Sequence, residues 1–200
     1  MGIANFYICF VKEAIAVMII WINGAFGSGK TSVAEAIHKK VSHSFIYDPE
    51  QVGYFLWDNF PNALKRKGNF QHMDIWRECN YNILKHIDAN YTGAIIVPMT
   101  LYVKQYYDEI PGRLASDGIS VKSFILSAAK PTIVNRLAKR RTLINKLLQR
   151  RDDGERWAAQ HIDVCINAFE IDIPGEKIDT EDKSIDEIAG EIIRRTQIIV

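Results

Sequence analysis

The amino-acid sequence predicts an α/β fold, in which a five-stranded parallel sheet is covered by helices on both faces. A continuous apolar segment over residues 17–23 ends in a glycine-rich turn, as expected for a parallel strand that is buried on both faces. Short apolar segments then alternate with helical patterns along the rest of the chain. A length of 200 residues fits one domain, and no internal repeat or linker divides it.

The predicted strands and helices alternate along the chain. Strands are predicted at 17–23, 44–48, 93–98, 121–127 and around Ile178. Helices are predicted from Lys30 onward, at 72–90, at 103–116, over 131–169 with an interruption at 152–154, and at the C-terminal end, where Ser184 and Glu187 fit a capping box. In parallel sheets of this kind, ligands bind outside the carboxyl ends of the strands.

Residues 24–31 read G-A-F-G-S-G-K-T and match the phosphate-binding pattern G-x-x-x-x-G-K-[ST] without a deviation. The glycines allow successive backbone N–H groups to face one anion, and the first turn of the following helix adds the positive end of its dipole. Lys30 is expected to reach the outer phosphates, and the Thr31 hydroxyl is expected to bind Mg²⁺. The predicted ATP-binding residues are Gly24, Ala25, Phe26, Gly27, Ser28, Gly29, Lys30, Thr31 and Ser32.

Two carboxylates follow the second predicted strand at the same edge of the sheet. Asp48 ends the strand, and Glu50 comes two residues later. A phosphotransferase needs a group that orients or deprotonates the acceptor, and we predict Asp48 for this role, with a second role as a Mg²⁺ ligand beside Thr31. The alternative is that Asp48 forms a turn ahead of Pro49 and that Glu50 is a solvated glutamate.

Arginines are concentrated after the fourth predicted strand. They are Arg136, Arg140, Arg141, Arg150 and Arg151, which surround the interruption in the helical pattern. A lid over about residues 136–156 would deliver a guanidinium group to the phosphates. Arg140 is therefore predicted to be catalytic, together with Lys30 and Asp48, although each arginine alone is also consistent with a solvated helix face.

Aromatic side chains crowd the segment after Asp48. The group comprises Tyr54, Phe55, Trp57 and Phe60, followed by Trp76 and Arg77 in the next predicted helix. These residues are interpreted either as the walls of an acceptor pocket or as ordinary core packing.

The charge balance and the cysteines exclude several classes of function. With 25 Lys plus Arg against 24 Asp plus Glu, the net charge of +1 supplies no field that would attract nucleic acid. Three separated cysteines without a metal-ligating partner fit reduced thiols in a cytoplasm. The longest apolar run, residues 14–22, is shorter than the roughly 20 residues of a membrane span. We expect a cytoplasmic protein with no nucleic-acid partner and at most peripheral membrane contact.

Four segments resemble the bacterial tunicamycin-resistance ATP-binding proteins. They are M-I-I-W-I-N-G-A-F-G-S-G-K-T at 18–31, Y-D-P-E at 47–50, I-V-P-M-T at 96–100 and W-A-A-Q-H-I-D at 157–163. The resemblance implies a fold similar to nucleoside monophosphate kinases, with ATP in the phosphate loop and a tunicamycin-like acceptor. Residues 1–17 precede it and are interpreted as an N-terminal extension to a kinase-like domain over 18–200.

This sequence departs from the pattern of nucleoside monophosphate kinases at the third strand. The strand ends in V-P-M-T, so the acid that many P-loop enzymes place there for Mg²⁺ is absent, as is a segment like D-G-F-P-R. The region 141–151 is also longer and more basic than the family's lid. The first departure increases the importance predicted for Asp48.

Three functions are consistent with these residues. The first is a small-molecule kinase acting on a nucleoside-like antibiotic such as tunicamycin, and the second is ATP-dependent sequestration of a ligand without phosphoryl transfer. The third is a kinase of nucleotide metabolism, which the missing third-strand motif disfavours. A requirement for the Asp48 carboxylate separates the first function from the second.

Overall fold

The computed structural model describes residues 17–65, 69–148 and 158–198, with the backbone alone over 141–148. Its strands are β1 (Met18–Gly24), β2 (Ser44–Ile46), β3 (Ala94–Pro98), β4 (Val121–Ser127) and β5 (Glu176–Asp179). They form one five-stranded sheet in the order β2-β3-β1-β4-β5, and every neighbouring pair is parallel. The predicted α/β fold is confirmed.

Helices pack on both faces of this sheet. They are α1 (Lys30–Lys40), α2 (Pro49–Asn59), α3 (Asp74–Asn90), α4 (Lys104–Tyr107), α5 (Arg113–Ser116), α6 (Lys130–Leu148), α7 (Ile162–Ile171) and α8 (Ile185–Thr196). A π-helical turn, Asp108–Gly112, joins α4 to α5. The predicted capping box of Ser184 and Glu187 begins α8. In the described ranges, no helix combines the length and the apolar character that a membrane span requires.

Helix α2 is the element that the sequence patterns do not predict. The Asp48 carboxylate accepts a hydrogen bond from the backbone N–H of Glu50 at 2.9 Å and so caps the first turn. Pro49 occupies the first helical position, where its missing N–H removes no helical hydrogen bond. Strand β2 consequently ends at Ile46, before the predicted boundary.

Strand β1 lies at the centre of the core. Trp21 contacts an apolar cluster that includes Trp76 of α3, on one face of the sheet. Ile20 contacts a second cluster with Val33 of α1 and Ile188 of α8, on the other face. Because successive side chains of a strand point to opposite faces, both clusters fix the register of β1.

The register of the strands brings three strand ends to one edge of the sheet. Gly24 of β1 lies opposite Leu126 of β4, and Ile22 lies opposite Pro98 of β3. The segments that follow β1, β3 and β4 therefore emerge side by side, at the edge where ligands bind in parallel sheets.

A chain that begins at Met18 is expected to keep the sheet and the nucleotide site. Strand β1 starts at Met18, and Val17, the preceding residue, is partly buried against the core. Loss of its side chain removes about 1 kcal/mol of apolar burial. Circular dichroism and ATP binding on the shortened and full-length chains check this prediction. Insoluble shortened protein would show instead that residues 1–17 are structural.

Candidate active site

The phosphate loop connects β1 to α1 at the carboxyl edge of the sheet. Gly24 has a φ of 141°, and a Cβ at this position would lie 2.8 Å from the carbonyl oxygen of Leu126. Gly27 has a φ of 85°, and a Cβ there would lie 2.7 Å from Cγ of Leu137. Both positions therefore require glycine, because a side chain would meet strained backbone and close neighbours at once.

Gly27→Ala is expected to lower the free energy of unfolding by about 2–4 kcal/mol, because overpacking adds to the strain of positive φ. Gly118→Ala is the matched control: its φ is 87° against 85° for Gly27, but a Cβ at Gly118 would have no atom within 4 Å. Gly118→Ala should lower the free energy of unfolding by only about 1–2 kcal/mol. Urea denaturation of both variants measures the difference. Equal costs would show that Leu137 moves aside freely.

Side chains at the ends of β1 and β3 hold the phosphate loop in place. Asn23 Oδ1 accepts hydrogen bonds from the backbone N–H of Gly24 at 2.9 Å and of Leu101 at 3.0 Å, and Asn23 Nδ2 donates to the Leu101 carbonyl oxygen. Thr100 Oγ1 donates to the Gly24 carbonyl oxygen at 2.9 Å. The V-P-M-T segment, which lacks an acid, thus positions the phosphate loop through its threonine.

Lys30 is folded back onto the phosphate loop. Its Nζ donates to the carbonyl oxygens of Gly24 and Ala25, each at 3.0 Å, and lies 5.7 Å from the centre of the Phe26 ring. Burial lowers the pKa of Lys30 from 10.5 to about 8, and the nearby carboxylate of Glu50 partly opposes this shift. A phosphate at the loop would replace the two carbonyl oxygens as the partner of this ammonium group.

Two cavities share a wall at the phosphate loop, formed by Gly27, Lys30, Thr31 and Arg140. The first, of about 330 Å³, is also lined by Gly29, Ser32 and Arg136, and we call it the P-loop cavity. The second, of about 190 Å³, is also lined by Phe26, Glu35, Ile46, Asp48, Glu50, Pro98 and Thr100, and we call it the acidic cavity. The described residues of the P-loop cavity include cations and no carboxylate, whereas three carboxylates line the acidic cavity.

Asp48 and Glu50 occupy different environments in the acidic cavity. Both oxygens of Asp48 accept hydrogen bonds within α2, Oδ1 from the backbone of Glu50 at 2.9 Å and Oδ2 from Nε2 of Gln51 at 3.0 Å. The Oε2 atom of Glu50 accepts a long hydrogen bond, 3.5 Å, from the hydroxyl of Tyr54. Burial, reinforced by the charge of Asp48, raises the pKa of Glu50. The capping turn weighed as the alternative for Asp48 is present, but Glu50 is half-buried rather than fully solvated.

The predicted lid arginines separate into two groups. Arg136 donates to Oγ1 and to the carbonyl oxygen of Thr180, at 2.9 and 2.8 Å, so the start of α6 is held to the segment after β5. Arg140 is exposed and lines both cavities. Arg150 and Arg151 lie outside the described residues, and for Arg141 only the backbone is described.

Of the aromatic residues after Asp48, Trp57 and Phe60 pack against the core, whereas Tyr54 and Phe55 are 46% and 64% exposed. Trp76 is fully buried and donates from Nε1 to the Pro49 carbonyl oxygen at 3.0 Å, and the Trp57 ring lies 5.1 Å from that of Phe70. Arg77 is buried and pairs with Asp74 and Glu109. None of the aromatic or arginine side chains predicted for this pocket lines the P-loop cavity or the acidic cavity.

Glu35 and Thr100 line the acidic cavity and were missed by the sequence reasoning. Glu35 lies four residues after Thr31 on α1, so helical spacing alone puts both side chains on one face of the helix. The position of Thr100 depends on the pairing of β3 with β1, which no local pattern in the sequence reveals.

Thr31 at the shared wall and Asp48 in the acidic cavity fit a magnesium ion that a bound triphosphate helps to hold. In the described part of the chain, no group of three or more His, Cys, Asp or Glu side chains could hold a metal ion. Mg²⁺ at kinase sites usually takes one or two protein ligands and completes its shell with phosphate oxygens and water. Thr31 and Asp48, the predicted ligands, both line the acidic cavity.

The parallel sheet, the phosphate loop ahead of α1 and the cationic cavity beside it define a P-loop kinase fold. APS kinase from Mycobacterium tuberculosis, solved with AMPPNP and APS, has a similar structure, with 17% identity, coverage of 91% of this chain and 98% of that chain, and a TM-score of 0.56. Shikimate kinase from Acinetobacter baumannii, solved with shikimate, is 13% identical over 93% of this chain and 96% of that chain, with a TM-score of 0.57.

The tunicamycin resistance protein of Deinococcus radiodurans is also similar in structure. It is 23% identical, the match covers 92% of this chain and 97% of that chain, and the TM-score is 0.72. The resemblance predicted from the four sequence segments is confirmed at the level of the fold. No family model matches the sequence, and no curated protein matches it.

Proposed function

We propose that this protein is a small-molecule kinase, which transfers the γ-phosphoryl group of ATP to a hydroxyl group of an acceptor. The supporting observation is the wall that the P-loop cavity shares with the acidic cavity. A triphosphate suits the P-loop cavity, where Lys30, Arg136 and Arg140 supply positive charge. An acceptor in the acidic cavity would then meet the γ-phosphoryl group at Lys30 and Thr31.

The transfer step is an in-line displacement at the γ-phosphorus. The acceptor hydroxyl oxygen forms a bond to phosphorus, and the bond from phosphorus to the β–γ bridging oxygen breaks, with its electron pair leaving on ADP. The proton of the acceptor hydroxyl passes to a carboxylate of the acidic cavity. Lys30 and Arg140 stabilise the negative charge on the transferred group. Bound Mg²⁺ would neutralise further phosphate charge, with Thr31 and Asp48 as its protein ligands.

Glu50 is the carboxylate that we assign as the proton acceptor. It lines the acidic cavity and its Oε2 accepts a long hydrogen bond from Tyr54, whereas both oxygens of Asp48 accept hydrogen bonds within α2. The neighbouring Asp48 orients Glu50, because its Oδ1 holds the Glu50 backbone at the first turn of α2. Asp48, which the sequence predicts for the base, stays the second candidate.

Tunicamycin, or another nucleoside-like compound, is the first acceptor to test, because the similar structure from Deinococcus radiodurans is of a tunicamycin resistance protein. Incubation with γ-labelled ATP and the candidate acceptor, followed by a search for labelled product, tests the proposed function. Labelled product that requires Lys30 supports the kinase. If the protein binds the drug only in the presence of ATP and the drug stays unlabelled, sequestration is supported instead.

A further inference from the structure

We infer that the acceptor is a neutral or cationic alcohol, and not a phosphate ester or a carboxylate. The inference rests on the proposed function, because it takes the acidic cavity as the acceptor site. Three carboxylates, those of Glu35, Asp48 and Glu50, line this cavity. Its two cations, Lys30 and Arg140, also line the P-loop cavity.

Bound ATP makes the acidic cavity still less favourable for an anion. Lys30, Arg140 and a Mg²⁺ ion on Asp48 would be engaged by the phosphates. An acceptor would therefore meet Glu35 and Glu50 together with the net negative charge that MgATP keeps. Like charges that face each other in a partly enclosed site repel more strongly than in bulk water, because the effective dielectric constant is lower. An acceptor with its own phosphate or carboxylate would add to this repulsion.

Two arginines on α3 and α5 are paired with carboxylates outside the acidic cavity. Arg77 contacts Asp74 and Glu109, and its side chain is only 7% exposed. Arg113 pairs with Glu78, and neither this arginine nor Arg77 lines the acidic cavity. Among the described residues, the acidic cavity is thus lined by no cation besides Lys30 and Arg140, so these residues offer no dedicated partner for an anionic acceptor.

The lining of the acidic cavity also indicates which groups the acceptor carries. Ionised carboxylates only accept hydrogen bonds, so the acceptor must donate them from hydroxyl, amine or amide N–H groups. Phe26, Ile46 and Pro98 add apolar surface beside these carboxylates. A polyhydroxylated or amino-substituted molecule with an apolar face satisfies both kinds of lining.

A cysteine introduced at Ile46 measures the potential in the acidic cavity. In a chain with Cys9 and Cys79 changed to serine, Ile46→Cys is treated in turn with a cationic and an anionic methanethiosulfonate reagent. For each thiol, the rate with the cationic reagent is divided by the rate with the anionic reagent. This ratio should be at least about tenfold higher for the cysteine at position 46 than for 2-mercaptoethanol. A ratio equal to or below that of 2-mercaptoethanol would overturn the inference.

Two further carboxylate variants locate the source of this potential. Glu35→Gln on the Ile46→Cys background should reduce the preference several-fold, because it removes a charge from the cavity lining. Glu78→Gln is the matched control, since Glu78 pairs with Arg113 and does not line the cavity. Equal effects of the two variants would show that the preference reflects the whole protein rather than this cavity.

The acceptor class is then tested directly with γ-labelled ATP and three pools of candidate acceptors. The first pool contains neutral polyols and nucleosides, the second contains amino sugars, and the third contains phosphate monoesters. Label in the first or second pool supports the inference. Label in the monoester pool overturns it but leaves the proposed kinase intact. Failure of the same preparation to bind ATP would overturn the proposed function, whatever the thiol rates show about the cavity.

Discussion

Glu50→Gln is expected to lower the rate of phosphoryl transfer by about 100- to 10,000-fold, or roughly 3 to 5 kcal/mol of activation free energy. The substitution keeps the shape of the side chain but removes the group that accepts the proton. ATP affinity should change little, because the phosphate loop, Lys30 and Thr31 remain. Transfer rate and ATP affinity, measured on the same preparation, check the prediction.

Asp48→Asn is the matched control for this variant. Asparagine caps helices about as well as aspartate, so α2 should keep its first turn and Glu50 its position, and the asparagine amide oxygen still offers Mg²⁺ an oxygen ligand. We expect Asp48→Asn to reduce transfer much less than Glu50→Gln does. The opposite ranking would assign the base to Asp48, as the sequence alone predicts. Full transfer in both variants would exclude either carboxylate as the base.

Lys30→Ala is expected to abolish productive binding of the triphosphate and to lower transfer by at least about 1,000-fold. The fold should survive, because burial lowers the pKa of Lys30 and the charged group is therefore disfavoured in the folded chain relative to the unfolded chain. Calorimetric titration with ATP and thermal unfolding measure the two effects separately.

Lys39→Ala serves as the control, because Lys39 is an exposed lysine on the same helix and lines neither the P-loop cavity nor the acidic cavity. This variant should bind ATP like the unchanged protein. A folded Lys30→Ala variant with unchanged ATP affinity would contradict the assigned role of Lys30.

Elements with strong local patterns could be predicted from the sequence. The fourth strand is found at Val121–Ser127, as predicted, and β1 is displaced by only one residue. Helix α2 could not be predicted from the sequence, because its aromatic residues and Gly53 are weak helix formers. Gly53 is explained by a distant contact, since a Cβ there would lie 2.5 Å from the Phe70 ring. The Asp48-Pro49 pair was the available local signal for this helix.

The same distinction applies to the candidate site. The phosphate loop is a contiguous motif, so its residues could be predicted, and Arg140 lies at both cavities. The relative roles of Asp48 and Glu50 depend on which of them caps α2, and that depends on a helix the patterns do not predict. The contact between Arg136 and Thr180 joins residues 44 positions apart, which no local pattern reveals.

The contact between Arg136 and Thr180 also anchors the first part of α6. Thr132 bonds to Glu181, Arg136 bonds to Thr180, and Leu137 packs against the phosphate loop at Gly27, so the first two turns of α6 are held to the sheet and the loop. Arg140 lies less than one turn beyond Leu137, so this anchor keeps its guanidinium group at the wall between the two cavities.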